Sequence, residues 1–311
     1  MRISALLVPA TLCTVFVLSG CAPAETRSPA GETEPVTMKM QDPLAGFSGG
    51  LRQEEAGHAG PPRGSNPQLT FHGGGVIHGA KAKAIFWGAS WTNPAFAGDK
   101  ITGIDSFFAG WASSSYAGTV TEYGDASGPL GSDMVYLGST IDTSTPPSKA
   151  LSTSGAVAEA CKIVSNQPDP AAVYFIYTST GAGHVNYCAW HSWGNCSNGL
   201  PIQVAYMPNI DGLAGCDPGD TSALHSQGLA ALANVTAHEL AEAITDPRGL
   251  GWFDGSGSEN GDKCAWAFPP NGGLSTFTGG TQWKLQMEWS NAAYAASSGA
   301  PNLSGQKACI F

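Results

Sequence analysis

Apolar residues recur along the chain with two different periods, separated by clusters of Gly and Pro. Residues 83–87, Lys-Ala-Ile-Phe-Trp, read as a strand. In residues 99–112, Ile101, Ile104, Phe107, Phe108 and Trp111 return at helical spacing, which predicts a helix. Residues 118–123 and 134–141, rich in Val, Tyr and Thr, predict strands. A helix is expected over 148–164, opening after Pro146-Pro147. Residues 171–177 and 202–207 are the most apolar short runs, as strands buried on both faces should be. A long helix is expected over 221–245. It must stop before Pro247, because a proline ring crowds the preceding residue out of the helical region. The tail is loop-rich, with one strand near 283–289. Strands alternating with helices predict a single α+β or α/β domain over residues 68–311, with a mixed sheet and packed helices.

The N-terminal region follows a different pattern. Arg2 precedes an apolar stretch over residues 5–18, closed by Leu18-Ser19-Gly20-Cys21. About 20 apolar residues are needed to span a bilayer, so residues 1–20 read as a signal peptide. The closing tetrapeptide is that of a lipoprotein signal, with Cys21 as the lipidated N-terminus of the mature chain. Residues 21–67, rich in Pro, Gly, Glu and Ser, read as a flexible tether that buries too little apolar surface to fold. The expected location is extracytoplasmic, with membrane contact through the lipid anchor only.

Composition narrows the function. The formal charge is −10 with only 12% charged residues, and no Lys/Arg run could follow a phosphate backbone, which excludes nucleic acid. With Cys13 in the signal and Cys21 lipidated, six cysteines remain: Cys161, Cys188, Cys196, Cys216, Cys264 and Cys309. An even number in an exported chain predicts a disulfide-stapled domain. Its pairing is open, Cys188 with Cys196 being the easiest loop to close. No C-x-x-C pair supports a zinc knuckle, the one G-x-S-x-G string, residues 46–50, falls in the tether and supports no serine hydrolase, and Gly73-Gly74-Gly75, flanked by His72 and His78, lacks the Lys of a phosphate loop.

The densest chemistry lies in Val235-Thr236-Ala237-His238-Glu239-Leu240-Ala241-Glu242-Ala243-Ile244-Thr245-Asp246. At about 100° per helical residue, His238, Glu242, Asp246 and Glu239 share one arc. Positions i and i+4 offer a cation two ligands from one side, and the residue after the histidine can hold a water as base, the logic of H-E-x-x-H zincins. Here the second ligand is Glu242, giving H-E-x-x-E. Carboxylate suits zinc, but also calcium. A third ligand must come from Asp246, Glu259 or Asp262, with Asp262 the first choice. The loop of residues 252–264, with Asp254, Glu259 and Asp262 among glycines, could instead form a calcium-stapled turn. A solvated helix face is the plain alternative. A second segment, residues 181–191, places His184 and His191 beside Cys188 and reads as a stapled surface loop rather than part of a metal site.

These segments together resemble the bacterial members of the EXORDIUM or phosphate-induced protein family. The likeness is carried by Thr70-Phe71-His72-Gly73-Gly74, Ile85-Phe86-Trp87-Gly88, Tyr187-Cys188-Ala189-Trp190-His191, Ala237-His238-Glu239-Leu240, Gly251-Trp252-Phe253-Asp254 and Asp262-Lys263-Cys264-Ala265-Trp266. It implies an extracellular protein, associated in plants with the cell wall and growth. Two functions are expected. One is a zincin-like metal-dependent hydrolase acting on extracellular polypeptides, with His238, Glu242 and Asp262 as ligands and Glu239 as general base. The other is a non-catalytic module binding a cell-wall polymer, with Trp190, Trp193, Trp252 and Trp266 stacking on sugars.

Overall fold

A computed structural model describes residues 67–183 and 185–311. The signal peptide, Cys21, nearly all of the tether and His184 lie outside the described residues. Five strands form the main sheet: β1 (Ala80–Trp87), β2 (Met134–Asp142), β3 (Ala172–Thr178), β4 (Trp190–Asn195) and β5 (Pro201–Met207). Their order is β2-β1-β3-β5-β4, the first four parallel and β4 antiparallel to β5. The mixed sheet and α+β class agree with the sequence reading. All seven residues of β3 are buried, as a central strand covered on both faces requires.

Alternation along the strands divides the core. Ala84, Phe86, Phe175, Tyr177, Ala205 and Met207 face helices α1 (Lys100–Trp111) and α3 (Gln227–Thr245). Ile85, Tyr174, Ile176, Ile202 and Val204 face helix α2 (Thr153–Ile163). The result is three layers, helix on sheet on helix. Helices α2 and α3 start several residues later than the sequence suggested, each where a serine hydroxyl accepts a backbone N–H of the first turn, Ser152 from Gly155 and Ser226 from Leu229.

Three expectations are corrected. Residues 118–123 do not form a strand: Ala117–Val120 is a short 3-10 helix, because Ser114, Thr119 and Thr121 hydroxyls bond nearby backbone groups and compete with ladder pairing. The strand near 283–289 is two two-residue pieces, Gln282–Trp283 and Glu288–Trp289. The disulfides are Cys161–Cys196, Cys188–Cys216 and Cys264–Cys309, not Cys188–Cys196. The presumed surface loop containing His191 is in fact strand β4, so Cys188 and Cys196 lie at opposite ends of an extended segment. Three disulfides point to an oxidising environment. No helix among the described residues is long and apolar enough to cross a membrane.

Candidate metal centre

Helix α3 is buried on every side, from Leu229 to Thr245. Sheet strands cover one flank, and the C-terminal segment with Leu285, Met287 and Trp289 joins the same core. Its polar arc therefore does not meet water. His238, Glu239 and Glu242 are each 1% exposed, as are His191 and Glu259 brought against them. A solvated helix face is thus ruled out, and four ionisable groups beyond the helix converge on it.

On one side, His238 Nε2 lies 3.0 Å from Glu242 Oε1 and 3.9 Å from Asp262 Oδ1. The Asp262 N–H donates to the same Glu242 oxygen at 2.9 Å. Asp262 comes from the short helix α4 (Asn260–Lys263), which is locked against α3 by the close approach of Gly261. A Cβ at Gly261 would stand 2.6 Å from His238 Nδ1 and 2.9 Å from Glu242 Oε1, so only glycine admits the contact. Behind His238, the Gln286 amide sits 2.6 Å from Nδ1 and donates to the Gly261 carbonyl. This fixes Nε2 as the ring nitrogen that faces the carboxylates. On the other side, His191 Nδ1 lies 3.2 Å from Glu239 Oε2 and 3.6 Å from Glu242 Oε2, with its Nε2 3.7 Å from Glu259 Oε2.

Two groups of ligand atoms result, His238–Glu242–Asp262 and His191–Glu239–Glu242, each with its atoms within 4.8 Å of one another. A tetrahedral ion with bonds of about 2.1 Å separates its ligand atoms by about 3.4 Å, so the spacings seen here match a metal's first coordination shell. This buried His/Glu/Asp group could hold a metal ion.

Other sequence candidates are engaged elsewhere. Asp246 closes the end of α3, its Oδ1 accepting the Gly251 N–H at 2.7 Å, and belongs to neither group. Asp254 pairs with Lys263 at 2.5 Å and accepts the Ser256 and Ser258 N–H groups, so protein donors already fill the role a calcium staple would have. Sequence reasoning placed His191 in a surface loop and passed over Gln286 and Glu288. The alternation in Trp190-His191-Ser192-Trp193 was the available signal for a strand, and the lone acid in Met287-Glu288-Trp289 was one for a buried carboxyl.

Glu288 is fully buried, with Oε1 accepting the Tyr116 hydroxyl at 2.6 Å. Burial pushes its carboxyl up to about 8 despite His238 and Tyr116, and burial likewise raises Glu239 against its histidine partners. For His238 burial favours the neutral ring, yet Glu242, Glu239 and Asp262 outweigh it and raise the imidazole to about 10. Glu242 is held low: the two histidines overcome its own burial. The signs give a prediction for metal-free protein. Glu239, Glu288 and His238 all bind protons more tightly folded than unfolded, so stability falls as pH rises from about 5 through their raised values. The lowered Glu242 acts only in strong acid. Thermal melts in chelator should show the highest melting temperature in mild acid and a decline to pH 9. A melting temperature rising from pH 5 to 9 would contradict this electrostatic picture. Because a cation must displace these protons, metal uptake should also release acid.

Comparison of the chain with family models, curated proteins and solved structures gives no match.

Proposed function

We propose that this protein is a zincin-like, metal-dependent hydrolase of the cell exterior, held there by a lipid on Cys21 and acting on polypeptide. The observation that carries the reading is the burial of His238, Glu242 and Asp262 around a point within reach of all three, with Glu239 beside them. A buried set of carboxyl groups and imidazoles aimed at one another is the donor set that a cation needs once it displaces their protons. The imidazole favours zinc over calcium, which prefers six to eight oxygens.

When bound, zinc would supply Lewis acidity, lowering the pKa of a bound water towards about 7. The chain's own groups do the rest. His238, Glu242 and Asp262 would hold the ion, and Gln286, 2.6 Å from Nδ1, positions the His238 ring from behind. Glu239 takes the proton from the attacking water, with His191 steering its Oε2 from 3.2 Å. Asp262, its side chain 23% exposed, marks the side from which substrate arrives, since the other ligands are sealed.

The glycan-binding alternative draws less support. Of the four Trp residues named for it, Trp190 is buried and Trp193, Trp252 and Trp266 are half-buried, which leaves little open ring face for sugar stacking. The deciding measurement joins elemental analysis of mildly purified protein to hydrolysis of a labelled protein substrate. At least one zinc per chain is expected, and Glu239→Gln should keep the ion of the His238–Glu242–Asp262 group while losing about 10²–10⁴-fold in rate. Metal-free wild-type protein, or full activity in Glu239→Gln, would remove the proposal.

A further inference from the structure

Taking as given the first ion of the metal reading above, on which this step rests, we propose that the cluster takes two divalent cations bridged by the carboxylate of Glu242. The two oxygens of Glu242 face different partners. Oε1 lies 3.0 Å from His238 Nε2 on the Asp262 side, and Oε2 lies 3.6 Å from His191 Nδ1 on the Glu239 side. A carboxylate giving one oxygen to each of two ions holds them about 3.5–4 Å apart, the usual separation in two-metal sites.

The second position is as complete as the first. His191 Nδ1, a Glu239 oxygen and a Glu242 oxygen all lie within 4.8 Å of one another. The same imidazole turns its Nε2 towards Glu259 at 3.7 Å. That is longer than a hydrogen bond, but it puts a carboxylate behind the imidazole on the side away from the ion, where an outer carboxylate supports a metal-bound histidine. Glu239 Oε1 is buried with no hydrogen-bond partner among the described residues, an acceptor that a cation would satisfy. The donor set points the same way: five buried or half-buried carboxyl groups, counting Glu288, stand around two imidazoles, more oxygen donors than one ion needs. With both positions filled Glu239 is a ligand, so its role as base belongs to the form holding one ion.

Manganese(II) suits the carboxylate oxygens that dominate both groups and reports on its neighbours by electron paramagnetic resonance. Full-length protein stripped by chelator and equilibrated with manganese chloride should hold two ions per chain by elemental analysis, with a spin-coupled spectrum. His191→Ala should hold one ion and give an uncoupled spectrum, while Asp262→Asn should lose the ion on the opposite side. If His191→Ala does not fold, the wild-type count and spin coupling decide alone. A single uncoupled ion in wild-type protein, or two ions retained in folded His191→Ala, would overturn the bridge. No ion at all in wild-type protein would overturn the metal reading as well, so the two failures are distinct.

Discussion

Glu242→Ala should empty the centre of metal and lower the stability of the metal-free protein by about 3–5 kcal/mol, the cost of breaking a buried charged pair by removing one partner. Glu242 is the residue both ligand groups share. In metal-free protein it also faces both histidines and accepts the Asp262 N–H. Its loss strands a buried imidazole and a buried amide together. In a domain of this size the stability loss corresponds to a fall in melting temperature on the order of 10 °C. Glu242→Gln separates the two effects, since it keeps the shape and an acceptor but removes the charge. It should lose metal as fully as the alanine variant while losing less stability. Elemental analysis and thermal melts in chelator check both. Metal retained at wild-type stoichiometry in Glu242→Ala would show that the ion sits elsewhere.

Removing the Cys264–Cys309 disulfide by a double serine substitution should have the second-largest effect. The bridge spans 45 residues of sequence, and the chain-entropy relation puts its contribution at about 4 kcal/mol. Its position adds a functional cost. Cys264 follows Asp262 by two residues and ends α4, whose approach to α3 through Gly261 sets the ligand spacing. Freed from the C-terminal strand Lys307–Ile310, α4 keeps its local hydrogen bonds but loses a rigid support. Metal affinity should fall 10–100-fold, as it does when groups supporting a ligand are removed. The Cys161–Cys196 bridge is the control. It spans 35 residues on the α2 face of the sheet, away from α3. Its removal should cost similar stability and change metal affinity far less. Equal affinity losses in the two variants would mean that the site responds to global loosening and not to the support of α4.

The electrostatic and metal predictions depend on the same arrangement, and it was only half legible in the sequence. The i, i+4 spacing of His238 and Glu242 was enough to place them on one helical arc. The downstream acids were visible too, but not which would arrive. Asp262 reaches the helix while Asp246 closes the helix end and Asp254 binds its own loop. All three are acids in a glycine-rich context, so local composition could not rank them. Residue type carried still less information for His191, because a histidine next to a cysteine reads as a loop until the strand around it is paired.

The chain's local periods determined the elements of the core: the spacing of Ile104, Phe107, Phe108 and Trp111 for α1, the apolar runs of β3 and β5, and the long helix ended by Pro247. The even set of cysteines determined that the domain would be stapled. These follow from the sequence because each depends on residues a few positions apart, whose side chains share a face whatever the rest of the chain does. Tertiary structure decided the burial of α3 on every side, the pairing of the cysteines, the antiparallel edge strand with His191, and the fit of Gly261. His191 and Glu239 are 48 residues apart, and Gln286 is 48 from His238. Their meeting is set by how whole layers pack, and no short window of sequence encodes that distance.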